Sequence, residues 1–341
     1  LNYYNFVLMQ LIRKLLFPIS LLYGLIVFFR NRLYDMGVFS SKTFAVKTIC
    51  VGNLSVGGTG KTPMIELLVR ELGESFRVAI LSRGYKRKTK GFLLAGNHTS
   101  VEELGDEPFQ LKKKFPKVAV AVDADRKNGI NQLMTDIDPD VILLDDAFQH
   151  RKVKPGFSIL LTAYDNLYVN DWYLPTGNLR DFKGEANRAD IIVITKCPAD
   201  LSNSDKSTIL LQLAPKHHQR VFFSYLDYNK DLKGVEMPLE SLKTKNVTLV
   251  TGIANPTPLE MFLKSSGITF EHLKFNDHHF FTDAEIADLK KKETILTTEK
   301  DYVRLKSKIP NLHYIEVKHE FLYDGKEALR QELLQFMTKN S

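Results

Sequence analysis

The run Val51-Gly52-Asn53-Leu54-Ser55-Val56-Gly57-Gly58-Thr59-Gly60-Lys61-Thr62 separates a short apolar stretch, residues 47–51, from a helical pattern near 63–72. A loop of this kind needs a strand arriving and a helix leaving, which commits the chain to an α/β architecture. Gly57, Gly58 and Gly60 let backbone N–H groups turn inward around an anion. Lys61 reaches toward β- and γ-phosphates, and Thr62 stands where a hydroxyl ligates Mg²⁺ at a positive helix N-terminus. Ser55, Val56, Gly57, Gly58, Thr59, Gly60, Lys61 and Thr62 are therefore the candidate contacts of a nucleoside triphosphate. Ser55 breaks the general spacing, which has glycine at that position. The competing reading is a tight strand-to-helix turn that binds nothing.

Short runs rich in Val, Ile and Leu follow at 77–81, 118–122, 141–144, 158–162 and 191–195, as expected of parallel strands covered on both faces, with a helical stretch near 206–213. A second series comprises strands at 247–251, 269–274 and 294–296, helices at 256–264 and from Thr282, and a final helix near 326–337. Thr282 and Glu285 have capping-box spacing. The expected fold is α/β: a P-loop NTPase-like parallel sheet with helices on both faces, a second smaller α/β domain, and an N-terminal hydrophobic helix. The polar stretch 227–245 suggests a boundary near 225, giving domains at 39–225 and 226–341 after an N-terminal helical segment at 1–38. Ligands are expected at the carboxyl edge of the first sheet.

A net charge of +7 and a pI near 9.1 call for an anionic partner: nucleic acid, an anionic membrane or a phosphorylated substrate. Cys50 and Cys197 offer no disulfide framework, which fits a reducing compartment, and their spacing suggests no metal site. Residues 15–29 carry no charge and are flanked by Arg13-Lys14 and Arg30-Asn31-Arg32. As a helix this segment spans about 22 Å, short of the roughly 30 Å hydrocarbon core, and no signal-peptide cleavage site follows. Two readings fit: a helix lying in the headgroup region, drawn by anionic lipid, or a buried helix of the globular core. The first residue is Leu1 rather than Met, which suggests a non-ATG start or a processed end.

Val141-Ile142-Leu143-Leu144-Asp145-Asp146 is an apolar strand ending in carboxylates downstream of a phosphate loop, where an acid binds Mg²⁺ directly or through water. Gln149 and His150 extend that site or belong to a turn. Asp106, in Gly105-Asp106-Glu107-Pro108, suits a general base for a hydroxyl acceptor and equally suits a helix N-cap. In Asp277-His278-His279 an aspartate can orient an imidazole, or two histidines beside an aspartate can bind a metal; the competing reading is a surface turn, where such residues are common. Arg83 and Arg87, in the basic run 82–88, either bind an anion or line a solvated loop. The lysine runs 112–114 and 290–292 read as solvated faces.

Together with Ser82-Arg83-Gly84-Tyr85, Leu174-Pro175-Thr176-Gly177-Asn178-Leu179-Arg180 and Thr298-Glu299-Lys300-Asp301, these motifs resemble the tetraacyldisaccharide 4'-kinase family of lipid A biosynthesis, over nearly the whole chain and in the same order. Ser55 is what that family has. The resemblance implies ATP-dependent phosphorylation of the 4'-hydroxyl of an acylated disaccharide 1-phosphate at the cytoplasmic face of a bacterial inner membrane, peripheral or monotopic, with no nucleic-acid partner. It implies Asp106 as general base with His278 as its partner, and Lys61 neutralising phosphate charge. Thr62, Asp145, Asp146 and Gln149 then form the Mg²⁺ side, and Arg83, Arg87 and Arg180 the anionic-substrate side. Asp146-Ala147 replaces the family's common Asp-Gly, and Asp181 stands where Glu is usual. A different class stays open: a membrane-recruited P-loop ATPase or GTPase switch. Against it, Lys196 is followed two residues later by Pro198 instead of a guanine-reading aspartate.

Overall fold

The computed structural model describes Leu8 and residues 11–339, so Leu1 and the opening of the expected segment 1–38 lie outside the described residues. Two compact units result, and each is built from separate stretches of chain. Leu1–Leu81, Asp125–Tyr225 and His319–Ser341 form the first; Ser82–Ala124 and Leu226–Lys318 form the second.

In chain order, the first unit opens with α1 (Phe17–Asp35), β1 (Lys47–Asn53), α2 (Lys61–Leu72) and β2 (Val78–Ser82). The second contributes β3 (Leu93–Leu94), α3 (Val101–Leu104), α4 (Asp106–Lys114) and β4 (Ala119–Val122). The first resumes with α5 (Arg126–Asp136), β5 (Val141–Asp145), β6 (Phe157–Ala163), β7 (Ile191–Thr195), α6 (Asn203–Leu213) and β8 (Arg220–Tyr228). There follow β9 (Asp231–Gly234), β10 (Met237–Pro238), β11 (Val247–Thr251), α7 (Thr257–Ser265), β12 (Phe270–Lys274), α8 (Asp283–Leu289), β13 (Thr294–Thr298), α9 (Glu299–Leu305) and β14 (Leu312–Ile315) of the second. The chain ends on β15 (Val317–Phe321) and α10 (Gly325–Thr338).

The contiguous domains 39–225 and 226–341 differ from this partition, because 82–124 joins the second unit and 319–341 the first. Residues 82–124 continue the alternation of apolar runs and helices without a break in composition, so the sequence carries no mark of the exchange.

In the first unit the strands run β15-β8-β7-β6-β1-β5-β2. β1 pairs in parallel with β5 and β6, β5 with β2, β6 with β7 and β7 with β8. Strands β2, β5, β6 and β7 are buried at every residue, which is why they read as unbroken apolar runs. The pairing of Val51 with Asp145 puts the start of the phosphate loop beside the carboxylate that ends β5. The second unit has the order β10-β9-β14-β13-β11-β12, parallel from β14 to β12 and antiparallel where β9 joins. Its core gathers Leu249, Leu259, Leu263, Leu296 and Ile315. The Thr282 capping box forms as the spacing predicts.

Helix α1 is amphipathic in an inverted sense. Its buried residues are Ser20, Gly24, Val27 and Asn31, while Leu22, Ile26 and Phe29 are 59%, 59% and 62% exposed. Polar bonds dock the inner face onto the rest of the first unit. Ser20 Oγ donates to Thr176 Oγ1 (2.8 Å), Tyr23 Oη to the Arg180 carbonyl (2.9 Å) and Asn31 Nδ2 to Asp181 Oδ1 (2.7 Å). A Cβ at Gly24 would lie 2.7 Å from the Tyr173 ring, so only glycine permits that approach. Asp181 thus serves as a dock for α1. Among the described residues no helix is long and apolar enough to cross a membrane.

Candidate functional site

The loop after β1 takes its shape from positive backbone angles at Gly57 (φ 116°) and Gly60 (φ 88°), which side-chain-bearing residues adopt only under strain. Position 55 has no such requirement. Its hydroxyl donates to Asp171 Oδ2 (3.4 Å), its backbone bridges to Leu179, and the next amide, of Val56, donates to the Asn178 carbonyl (2.8 Å). Ser55 therefore ties down the loop entrance.

Two carbonyls of the loop are held from behind. Thr195 Oγ1, at the end of β7, donates to the Thr59 carbonyl (2.9 Å), and His319, on β15, donates through Nε2 to the Gly60 carbonyl (2.8 Å). Because the carbonyl can only accept, the ring proton sits on Nε2, and Nδ1 accepts from Ser224 Oγ (3.1 Å). In a trans peptide the N–H opposes the C=O, so anchoring these carbonyls turns the Gly60 and Lys61 amides the other way, toward an anion. No side chain caps α2, which leaves its first turn for such a ligand.

His319 gave no signal in the sequence, being a lone histidine in a short strand. Burial pushes its pKa down to about 4 against the opposing pull of the Gly60 carbonyl. Its folded pKa lies below the ordinary 6.5, so the stability it contributes as a neutral ring is present above about pH 6.5 and lost as pH falls toward 4. Replacing the donor should be selective: His319→Leu is expected to weaken nucleotide binding roughly tenfold, with His319→Gln restoring most of it. Calorimetric titration of both variants with nucleotide checks this, and equal affinities would remove His319 from the account.

Lys61 Nζ lies 3.8 Å from Asp146 Oδ1. Arg180 donates to both Asp146 oxygens, through Nη1 at 3.1 Å to Oδ2 and through Nη2 to Oδ1. Burial raises the Asp146 pKa, but Lys61 and Arg180 outweigh it and bring it down to about 2. Asp146 takes the left-handed backbone (φ 48°), which aspartate tolerates. Asp145 ends β5 and is 1% exposed. Gln149 donates Nε2 to the Asn53 carbonyl (2.7 Å), while its buried Oε1 has no hydrogen-bond partner. Burial pushes His150 down to about 4, so it is neutral.

Asp106 and His278 lie in the second unit. The N-cap of α4 is Gly105 with no side-chain cap, which removes the capping reading of Asp106. Its carboxylate, 4% exposed, instead accepts from His278 Nδ1 (2.7 Å), from Arg304 Nε (2.6 Å) and from Arg304 Nη2. Burial raises its pKa, and the bonds from His278 and Arg304 more than reverse this, holding the group below the usual carboxylate range. His278 sits at φ 61°, a backbone state that is costly for histidine and concentrates at functional sites. His279 has a structural occupation, bonding Glu285 (2.9 Å) and stacking on Phe275.

Arg304 is the member of this cluster that the sequence did not disclose, since the contact joins positions 198 residues apart. Of the arginines proposed for an anionic substrate, Arg83 is exposed, Arg87 donates to the carbonyls of Val122 and Gly91, and Arg180 is occupied by Asp146.

The model of the LpxK family, tetraacyldisaccharide-1-P 4'-kinase, matches residues 12–338. A tetraacyldisaccharide 4'-kinase of Flavobacterium johnsoniae is 49% identical, covering 97% of this chain and 99% of the relative. That of Bacteroides thetaiotaomicron is 40% identical over 97% of this chain and 94% of its own length. A crystal structure of LpxK from Aquifex aeolicus in complex with ATP superposes with a TM-score of 0.78 at 33% identity, covering 96% of this chain and 99% of that one. The chain belongs to the tetraacyldisaccharide 4'-kinase family.

Proposed function

We infer that this protein transfers the γ-phosphoryl group of ATP to the 4'-hydroxyl of a tetraacylated glucosamine disaccharide 1-phosphate, giving lipid IVA. The observation that carries this reading is the family match across residues 12–338, which includes both the phosphate loop and the Asp106–His278 pair. The relative crystallised with ATP supports ATP as donor.

A sugar hydroxyl is a weak nucleophile. As its oxygen bonds to the γ-phosphorus, the bond to the bridging oxygen breaks, ADP leaves with the electron pair, and the hydroxyl proton passes to Asp106. A loose transition state asks little basicity of that carboxylate, which suits one held below its usual range. Lys61 and the loop amides stabilise charge on the phosphate oxygens.

Mg²⁺ fits the residues present. Thr62, Asp145 and the unpartnered Gln149 Oε1 are hard oxygen donors, whereas Asp146 is already engaged by Lys61 and Arg180. Among the described residues no group of three or more His, Cys, Asp or Glu side chains could hold a metal alone, which suits a cation completing its shell with phosphate oxygens and water. When bound, it neutralises charge on the β- and γ-phosphates. Measuring nucleotide hydrolysis with and without acceptor separates the readings: a kinase consumes ATP in proportion to phosphorylated lipid, whereas a switch hydrolyses it without acceptor.

The partner surface in this reading is an anionic membrane at the cytoplasmic face of the inner membrane. The apolar face of α1 supports it, because a core helix would bury Leu22, Ile26 and Phe29 and expose Ser20 and Asn31. Introducing glutamate at all three outward positions (Leu22→Glu, Ile26→Glu, Phe29→Glu) spares the docked face. Sedimentation with anionic vesicles should fall at least about 100-fold, given roughly 1.5–3 kcal/mol per buried side chain. Unchanged sedimentation would place the lipid contact elsewhere.

A further inference from the structure

The last two turns of α1 reach the turn that follows β5, where the metal-side residues lie. Successive carbonyls of that turn are held from outside by arginines of distant stretches. Arg188, in the short turn at 183–188, donates Nη2 to the Phe148 carbonyl (2.7 Å). Arg30, on α1, donates Nη2 to the Gln149 carbonyl (2.9 Å), 119 residues further along the chain. Five residues on, Asp35 Oδ1 accepts from Arg151 Nη2 (2.6 Å), so α1 grips the turn at two points.

The two grips act differently. Arg151 has a second partner in Glu185, whose Oε2 accepts its Nη1 (2.8 Å) and also Arg188 Nε (2.6 Å), so losing Asp35 leaves Arg151 in place. The other donor to the Gln149 carbonyl is the Arg151 amide two residues on (3.0 Å), the closure of a three-residue turn. Arg30 is therefore what fixes the plane of that peptide from outside. At its other end Gln149 donates Nε2 to the Asn53 carbonyl (2.7 Å) at the end of β1. With backbone and amide both tied, its buried Oε1, which has no hydrogen-bond partner among the described residues, keeps a fixed direction.

We propose that Arg30 is a positioning residue of the kinase reaction: by holding the Gln149 peptide it fixes the orientation in which Gln149 Oε1 is offered to Mg²⁺, which makes α1 part of the nucleotide site. A neutral amide oxygen gains less from charge attraction than a carboxylate does, so its contribution depends on being preset. Outer contacts that orient a metal-side group govern metal affinity by about 10- to 100-fold. The other contacts of Arg30 lie on α1 itself, with Nη1 3.5 Å from Asn31 Oδ1 and the guanidinium 5.6 Å from the centre of the Tyr34 ring. They steady the guanidinium without tying it to another element.

This inference rests on the reading of Gln149 as a metal-side donor, and the experiment separates the two. Calorimetric titration of the full chain with ATP is run in excess Mg²⁺ and again in EDTA, and the ratio of the two affinities reads the metal's share of binding. Gln149→Leu should lose most of the wild-type preference for Mg²⁺. Arg30→Met should lower the affinity for ATP with Mg²⁺ roughly 10- to 100-fold and leave that for ATP in EDTA unchanged. Arg30→Lys should recover part of the loss, since an ammonium can reach the carbonyl but lacks the planar fork. Asp35→Asn, which loosens the same helix end without touching Gln149, should keep the wild-type ratio.

A Gln149→Leu protein with an undiminished Mg²⁺ preference would defeat the metal-side reading, and this inference with it. If Gln149→Leu loses the preference and Arg30→Met keeps it, the inference alone is overturned, and a fall in sedimentation with anionic vesicles would then make Arg30 a headgroup contact. It is overturned as well if Asp35→Asn lowers the ratio as far as Arg30→Met does, or if Arg30→Met weakens both ATP affinities together. Either result would reduce the effect to the seating of α1.

Discussion

Asp106→Asn is expected to lower phosphoryl transfer by about 10²- to 10⁴-fold, the usual contribution of a positioned general base, while nucleotide affinity stays unchanged because Asp106 is not among the candidate nucleotide contacts at 55–62. The substitution also removes the charge that pairs with buried Arg304. Leaving one partner of such a pair costs about 3–5 kcal/mol, a large share of the 5–15 kcal/mol that holds a domain together. Rates must therefore be scaled to the folded fraction, read by circular dichroism in the same buffer. The wild-type carboxyl is held below its ordinary value of 3.8, so the stability it contributes is present above that pH and lost as pH falls through its folded value. Near-normal turnover of a folded Asp106→Asn protein would leave its bonds to His278 and Arg304 with a purely structural meaning.

Lys61→Ala should lower kcat by about 10²- to 10³-fold, the scale of removing one preorganised group from a site of developing charge. Asp146 keeps Arg180 as its partner, so the fold around β5 should survive with little change in Tm. Lys61→Arg should recover little, because a planar fork does not reproduce a compact ammonium. Single-turnover kinetics check the step affected. Loss confined to ATP affinity, with an intact rate at saturation, would mean that Lys61 binds the ground state and transition state equally.

How much of this was legible beforehand follows from the range of each interaction. The phosphate loop, the acid ending β5 and the Thr282 cap are local patterns, and the chain formed them where spacing said it would. Asp106 was ambiguous because a residue before Glu-Pro at a helix start looks like a cap, and only the distant Arg304 and His278 show otherwise. His319 was invisible, since the carbonyl it holds lies 259 residues away. The orientation of α1 was undecidable from periodicity, as nearly every position from 15 to 29 is apolar and the outward face cannot be told from the inward one. Strand β8 was missed because it runs into the polar stretch taken as a boundary.

The central claim is tested most directly by incubating the protein with γ-labelled ATP and tetraacyldisaccharide 1-phosphate and resolving the lipid products by chromatography. Label should appear in a lipid carrying a second phosphate at the 4' position, in amounts matching the ADP formed. Label released only as inorganic phosphate, with the disaccharide unchanged, would contradict the account.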